Sequence, residues 1–375
     1  MVYSSSAAIA AREDQQIKDS SEKTADASSE VTQFSTHSAH YLERQAFFAV
    51  LGIIIMLFAY QIDYERYRKY ATPLLVCTFF LLLMVYVPKL GRRINGSARW
   101  LNLGVTLLQV SELAKLAMIL YMARKISDHQ AEIKSFVRGF LPSFMILCIF
   151  MAEIVLEPDL GATVILATIV YMMWFVGGMR IIHLLSVFLI GIPAVIVAIL
   201  AQPFRIARVT TFLQPFKSRH GAGWQAVQSL ISVSTGGVFG LGLGEGPQKY
   251  QFLSEGHTDF IFAGICEELG MVGALTIVLI YTVLMIQGIR VAIKAPDLYG
   301  SLLATGISVM IGVQAFINMY VVTVMVPTKG FTLPLVSYGG SSLMINCLAI
   351  GILMNVSRYT EMAAPAARKL ASSRP

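Results

Sequence analysis

Nine apolar runs dominate this chain, at roughly 46–62, 71–88, 105–123, 140–157, 160–179, 181–201, 268–288, 301–326 and 341–356. Most approach the ~20 residues that a helix needs to cross a bilayer. They are rich in Leu, Ile, Val, Met and Phe and show no alternation of period two, which excludes a β-barrel. In lipid every backbone N–H and C=O must find its partner within the protein, so such runs have to be helices. The expected fold is all-α, a polytopic integral membrane helical bundle. Composition agrees, with 56% hydrophobic and only 14% charged residues in a chain of 375. An ordinary soluble domain carries about 25% charge, so a large water-soluble enzyme is excluded.

The loops between the runs carry the orientation signal. Arg66, Arg68 and Lys69 follow run one; Arg124, Lys125, Lys134 and Arg138 follow run three; Arg180 follows run five. Arg290 and Lys294 follow run seven, and Arg358, Arg368, Lys369 and Arg374 follow run nine. All fall on one side, which the positive-inside bias marks as cytoplasmic. The net charge of +7 therefore reads as loop bias and membrane-lipid contact, with no nucleic acid partner. Three domains of the sequence follow: a polar segment 1–45, the membrane domain 46–357 and a cytoplasmic tail 358–375. Nine crossings place 1–45 outside, although it has no apolar signal core.

The opposite face carries more cations than that bias predicts. Segment 89–104, the long loop 202–258 and the short segment 327–340 hold Lys89, Arg92, Arg93, Arg99, Arg205, Arg208, Lys217, Arg219, Lys249 and Lys329. An anionic ligand at the outer face would account for them, as would ordinary solvated charge. Loops as long as 202–258 are usually functional. The glycines of TGGVFGLGLGEG (235–246) lack the phosphate-loop pattern and are expected to serve tight turns and close backbone approach in an interfacial loop.

Several ionisable residues stand at or near membrane depth, where they are costly and usually have a role. Asp259 opens a helix in HTDFIFAGICEELG and shares a face with Phe262, Ala263 and Cys266. Helix capping and acid–base catalysis both fit it. Glu267 and Glu268 lie a turn or two further on. Glu112 and Lys115, spaced i, i+3, can pair within run three. Glu157, Pro158 and Asp159 form a tight link in which Pro ends one helix and Asp caps the next. Lys329 is a point charge on a constrained loop, suited to a phosphate. The dispersed cysteines, Cys77, Cys148, Cys266 and Cys347, read as buried small hydrophobes, and no histidine spacing indicates a metal site.

The stretches GSARWLNLG (96–104), SELAKLA (111–117), EPDLG (157–161), GWQAVQSL (223–230), GGVFGLGLGEGPQK (236–249), EGHTDFIFAGICEELG (255–270) and PTKGFTLPLVSYGGSS (327–342) resemble, in content and order, the FtsW/RodA/SpoVE family of bacterial cell-wall proteins. The form of 248–262 is closer to the division and sporulation branch. The chain departs from the family's pattern in having Ser254 where Pro is usual and Glu157 where Gln is usual. The family has ten helices, so a further helix is expected ahead of Met1, which would account for a polar segment 1–45 on the outer side.

The resemblance implies a peptidoglycan glycosyltransferase that polymerises lipid II, a disaccharide-pentapeptide on undecaprenyl pyrophosphate, at the outer face of the bacterial cytoplasmic membrane. It implies a class B penicillin-binding protein as transpeptidase partner, other divisome proteins, and a septal location in division or sporulation. Asp259 is the implied catalytic residue, a general base for the acceptor hydroxyl. Arg99, Lys329 and Lys249 are the candidate cations for the pyrophosphate. Trp100, Gln228, His257 and Ser337 are implied substrate contacts, with Glu112, Lys115, Asp159, Glu255 and Glu268 supporting. No dedicated metal-ligand set is visible, although a Mg or Mn ion between Asp259 and the pyrophosphate fits the chemistry. The alternatives are a lipid II flippase, using charges along a path such as Glu112, Lys115 and Glu268, and a non-catalytic scaffold that recruits the transpeptidase.

Overall fold

The computed structural model describes residues 27–88, 90–94, 97–102, 107–218, 223–246 and 258–372. Each of the nine apolar runs is helical over most of its length. Helix α1 spans Ala27–Gln61, α2 Tyr64–Met84, α3 Val110–Asp128, α4 Leu141–Leu156, α5 Leu160–Val176 and α6 Ile181–Leu200. Then come α7 Pro203–Leu213, α8 Trp224–Thr235, α9 Ile261–Lys294, α10 Leu298–Val322 and α11 Gly340–Ser372. Among the described residues, six helical segments are long and apolar enough to cross a membrane. Two of the helices outrun the apolar sequence that announced them by more than ten residues at one end. Helix α1 begins well before residue 46, and α11 continues through most of the 358–375 tail.

The chain divides into two compact units. The larger comprises Leu51–Pro193, Thr282–Val313 and Gly340–Pro375. Its centre is α3, on which Ala114, Ala117, Met118, Ile119, Met122 and Ala123 are all fully buried. A helix that is apolar on every face has to be surrounded by other helices. Small residues let them approach: a Cβ at Gly306 would meet the Ile119 side chain at 2.7 Å. By contrast α6 leaves Ile181 70% and Leu189 78% exposed, as a lipid-facing helix does.

The segment following α2 contains a feature that hydropathy does not signal. Strands β1 (Gly91–Ile94), β2 (Ser97–Asn102) and β3 (Leu107–Gln109) form an antiparallel sheet in sequence order. Arg92 pairs with Trp100, Trp100 with Gln109 and Leu101 with Leu108. The strand β3 leads directly into α3, and the Gln109 N–H donates to Ser341 Oγ at 3.3 Å. This ties the sheet to the start of α11 inside the same unit.

The smaller unit comprises Met1–Val50, Ala194–Tyr281 and Gln314–Gly339. It shows that the loop 202–258 is not structureless, because its described part holds α7, α8 and a glycine-rich turn at 236–246. Helix α9 breaks at Gly270 (φ 64, ψ −163). The backbone groups freed there are bonded to the glycine-rich turn. Leu241 and Gly242 N–H donate to the carbonyls of Glu267 and Glu268 at 3.0 and 3.1 Å. Met271 and Val272 N–H donate to Gly237 and Val238 carbonyls at 3.0 and 3.2 Å. Non-helical backbone at membrane depth has to be satisfied by protein in this way. Two glycines make it sterically feasible, since Gly240 (φ 81) and Gly270 approach so closely that a Cβ on either would strike backbone of the other segment. The glycines thus serve turns and close approach, the role expected from the sequence.

Candidate active site

Asp259 lies in the turn Thr258–Phe260, immediately before α9. Behind that turn, Phe260, Phe262, Ala263 and Cys266 are buried. They anchor the start of the helix in apolar packing while Asp259 itself stays half-buried. Segment 327–340 folds over the same turn. A Cβ added at Gly330 would collide with Asp259 Oδ2, so the carboxyl rests where the loop has no side chain. Gly330 follows Lys329, whose Nζ lies 5.6 Å from the Phe331 ring centroid. The loop's glycine therefore brings a carboxyl and a lysine-bearing backbone together.

Four buried side chains hold this arrangement. Asn318, fully buried on α10, donates from Nδ2 to the Asp259 carbonyl at 2.8 Å and also to the Phe331 carbonyl. One turn earlier, Gln314 donates to the Thr332 carbonyl and hydroxyl, each at 3.2 Å. Ser337 accepts from Leu333 N–H at 2.7 Å and donates to the Thr258 carbonyl at 2.6 Å. The Tyr281 hydroxyl donates to the Pro334 carbonyl. Asn318 and Gln314 were not among the residues singled out from sequence. Two amides at i, i+4 in the mostly apolar run 301–326 were the available signal, because a buried amide in a membrane span needs internal partners.

The structure brings Asp259 and Ser337 together with the Lys329–Gly330 backbone in the smaller unit. Ser337 is engaged in positioning the 258–260 turn. In the same unit Gln228 is buried on α8 beside Ser229, which donates to the Val322 carbonyl at 2.5 Å. Glu268 is fully buried at the α9 break. Lys249, Glu255 and His257 lie outside the described residues. Among the described residues, no three His, Cys, Asp or Glu side chains come together in a group that could hold a metal ion.

The remaining candidates belong to the larger unit. Arg99 on β2 donates from Nε to the Glu157 carbonyl at 3.2 Å and from Nη2 to the Pro158 carbonyl at 2.7 Å. Its Nη1 lies 3.8 Å from Asp159 Oδ2. Asp159 caps α5 by accepting from Ala162 N–H at 3.1 Å. Arg99 thus fastens the sheet to the α4–α5 link, and Trp100 sits half-buried beside it on β2. Glu157, which lies outside the spans, is fully buried, and neither carboxyl oxygen has a hydrogen-bond partner. Burial first, and the neighbouring Asp159 carboxyl second, push its pKa up to about 9 against the opposing pull of Arg99.

Glu112 and Lys115 form a buried ion pair on α3 at 2.8 Å, with side chains 7% and 1% exposed. Breaking such a pair from one side leaves a charge without its counter-ion. Glu112→Gln should lower unfolding stability by about 3 kcal/mol. A melting midpoint in detergent equal to that of the parent protein would refute this.

A family model described as cell cycle protein, covering FtsW, RodA and SpoVE, matches residues 23–362. Stage V sporulation protein E of Bacillus subtilis (strain 168) is 44% identical over 323 residues, which are 86% of this chain and 88% of that protein. A probable peptidoglycan glycosyltransferase FtsW of Geobacter sp. (strain M18) is 42% identical over 317 residues, 84% of this chain and 86% of the relative. Among solved structures, a chain of a peptidoglycan synthase complex with structural coordination of polymerization and crosslinking superposes with a TM-score of 0.72 at 28% identity. That match covers 85% of this chain and 90% of the other. The rod shape determining protein RodA of Thermus thermophilus gives a TM-score of 0.63 at 27% identity, covering 84% of this chain and 87% of its own.

Proposed function

This chain belongs to the FtsW/RodA/SpoVE cell cycle protein family, and on that premise we propose how its Asp259 site carries out glycosyl transfer from a lipid-linked donor. Its activity is that of a peptidoglycan glycosyltransferase in a multi-pass membrane protein. We assign lipid II as the substrate, polymerised at the outer face of the cytoplasmic membrane. A class B penicillin-binding protein is the proposed transpeptidase partner, within the divisome and at the septum.

The observation that carries the mechanism is the seat of Asp259, its carboxyl against Gly330 and its backbone bonded to Asn318. A sugar hydroxyl is a poor nucleophile until a positioned base takes its proton, an effect worth roughly two to four orders of magnitude. In the proposed step the acceptor O–H breaks and its proton passes to Asp259. The oxygen forms a new bond to the donor's anomeric carbon, and the bond from that carbon to the pyrophosphate breaks. Charge then develops on the leaving pyrophosphate, where a fixed cation stabilises it. Lys329 takes first place in this role, because it adjoins Gly330, against which the Asp259 carboxyl rests. Lys249, from the sequence, is the third candidate. Asp259 would be the residue to hold a divalent ion, which would supply further charge neutralisation, and no step here depends on it.

The test is reconstitution with lipid II. Glycan polymer on a gel is the expected product. Translocation of lipid II across liposomes without any polymer would overturn the assignment in favour of a flippase. Full complementation of a depletion strain by Asp259→Ala would favour the scaffold.

A further inference from the structure

Asn318 is more deeply committed than a space-filling amide needs to be. It is 0% exposed within a membrane-crossing helix, where a polar side chain is expensive unless it has a task. Its Nδ2 donates to two carbonyls from different segments. One is the carbonyl of Asp259 and the other that of Phe331, a residue from the loop that seats the Asp259 carboxyl. Its Oδ1 is buried with no hydrogen-bond partner, so the amide is held for what its nitrogen does. The second amide, Gln314, grips the next residue of the same loop, Thr332, from one turn away on the same face of α10.

We propose that Asn318 is a positioning residue for glycosyl transfer, locking the Asp259 turn to the Lys329–Gly330 backbone so that carboxyl and cation keep a fixed separation. The inference rests on the reading of Asp259 as the base. One amide reaching both segments makes their spacing a property of α10, a rigid helix, rather than of two loops. Substrate need not touch Asn318 for this to matter, because reacting groups displaced by about 1 Å lose roughly a hundredfold in rate. Ser337 holds the same turn from its other side through the Thr258 carbonyl.

The test is steady-state polymerisation by the full chain in detergent or liposomes, with lipid II varied. Asn318→Leu keeps the volume and removes the donor. It should lower kcat roughly ten- to a hundredfold while KM for lipid II stays within about threefold. Asn318→Gln, which restores an amide donor on a longer stem, should recover most of the rate. Ser337→Ala, a smaller change, should show the same split, and it decides the matter if the leucine variant fails to fold. Unchanged kcat in these variants overturns the proposal. So does a loss of kcat that tracks the melting midpoint and is not recovered by Asn318→Gln. Asp259→Asn assayed in parallel separates the two inferences: wild-type polymerisation there removes the base itself, whatever Asn318 does.

Discussion

Asp259→Asn should slow polymerisation of lipid II by two to four orders of magnitude and leave the melting midpoint where it is. The magnitude is that of a lost general base. The constancy of the fold follows from what touches Asp259. Its link to Asn318 is through the main-chain carbonyl, and Ser337 holds the preceding residue, Thr258, again through a carbonyl. Neither bond involves the carboxyl. An asparagine side chain has nearly the same shape, so it still fits against the bare Cα of Gly330. The substitution therefore removes proton acceptance and leaves both of these backbone bonds in place. The measurement is single-turnover formation of the first glycosidic bond, paired with thermal unfolding in detergent. Polymerisation at the parent rate would remove Asp259 from the chemistry. A collapsed melting midpoint would mean that the carboxyl serves the fold first, in line with the capping role that its place before α9 also allows.

The parts of this molecule legible in the sequence are those governed by local chemistry. Long apolar runs had to be helices, Asp159 after Pro158 had to cap, and Glu112 with Lys115 at i, i+3 could meet. Each depends only on residues close in the chain. What escaped depends on partners far away. The sheet 91–109 has no apolar alternation because its strands are short and its register is set by pairing, not by a buried face. The break in α9 was hidden inside an apolar run, since Gly270 is tolerated in a helical pattern and only the turn at 237–242 supplies the missing partners. Arg99 looked like a free outer cation, but its donors meet three consecutive residues of a link some 58 positions away in sequence. Of the candidate site, Asp259 was recognisable from the motif around it. The amides that seat it were not, because Gln314 and Asn318 carry no local signal beyond being polar in an apolar helix.

Glu157→Gln should gain stability relative to the parent protein as pH rises. The carboxyl of Glu157 is fully buried without a hydrogen-bond partner, so ionising it in place is unfavourable. Its pKa stands at about 9 instead of 4.5. Between those values the folded chain keeps a proton that the unfolded chain releases. The folded state then binds more protons, and unfolding free energy falls with increasing pH by up to about 1.4 kcal/mol per unit. Below about pH 4.5 both states are protonated and the carboxyl costs no more than a neutral group. The glutamine variant has no proton to lose, so this slope disappears. Its amide adds a fixed cost of its own, about 1–3 kcal/mol if the buried NH2 finds no acceptor, but that cost is the same at every pH. The stability difference between the two proteins should therefore shift by about 4 kcal/mol in favour of the glutamine variant from about pH 5 to about pH 8, whatever its starting sign. Arg99 bonds the backbone carbonyls of Glu157 and Pro158, not the Glu157 side chain, so the link and its cap on α5 survive the substitution. Melting curves of both proteins across that pH range are the measurement. Parallel curves would show that Glu157 is ionised in the folded protein and that a group outside the described contacts neutralises it.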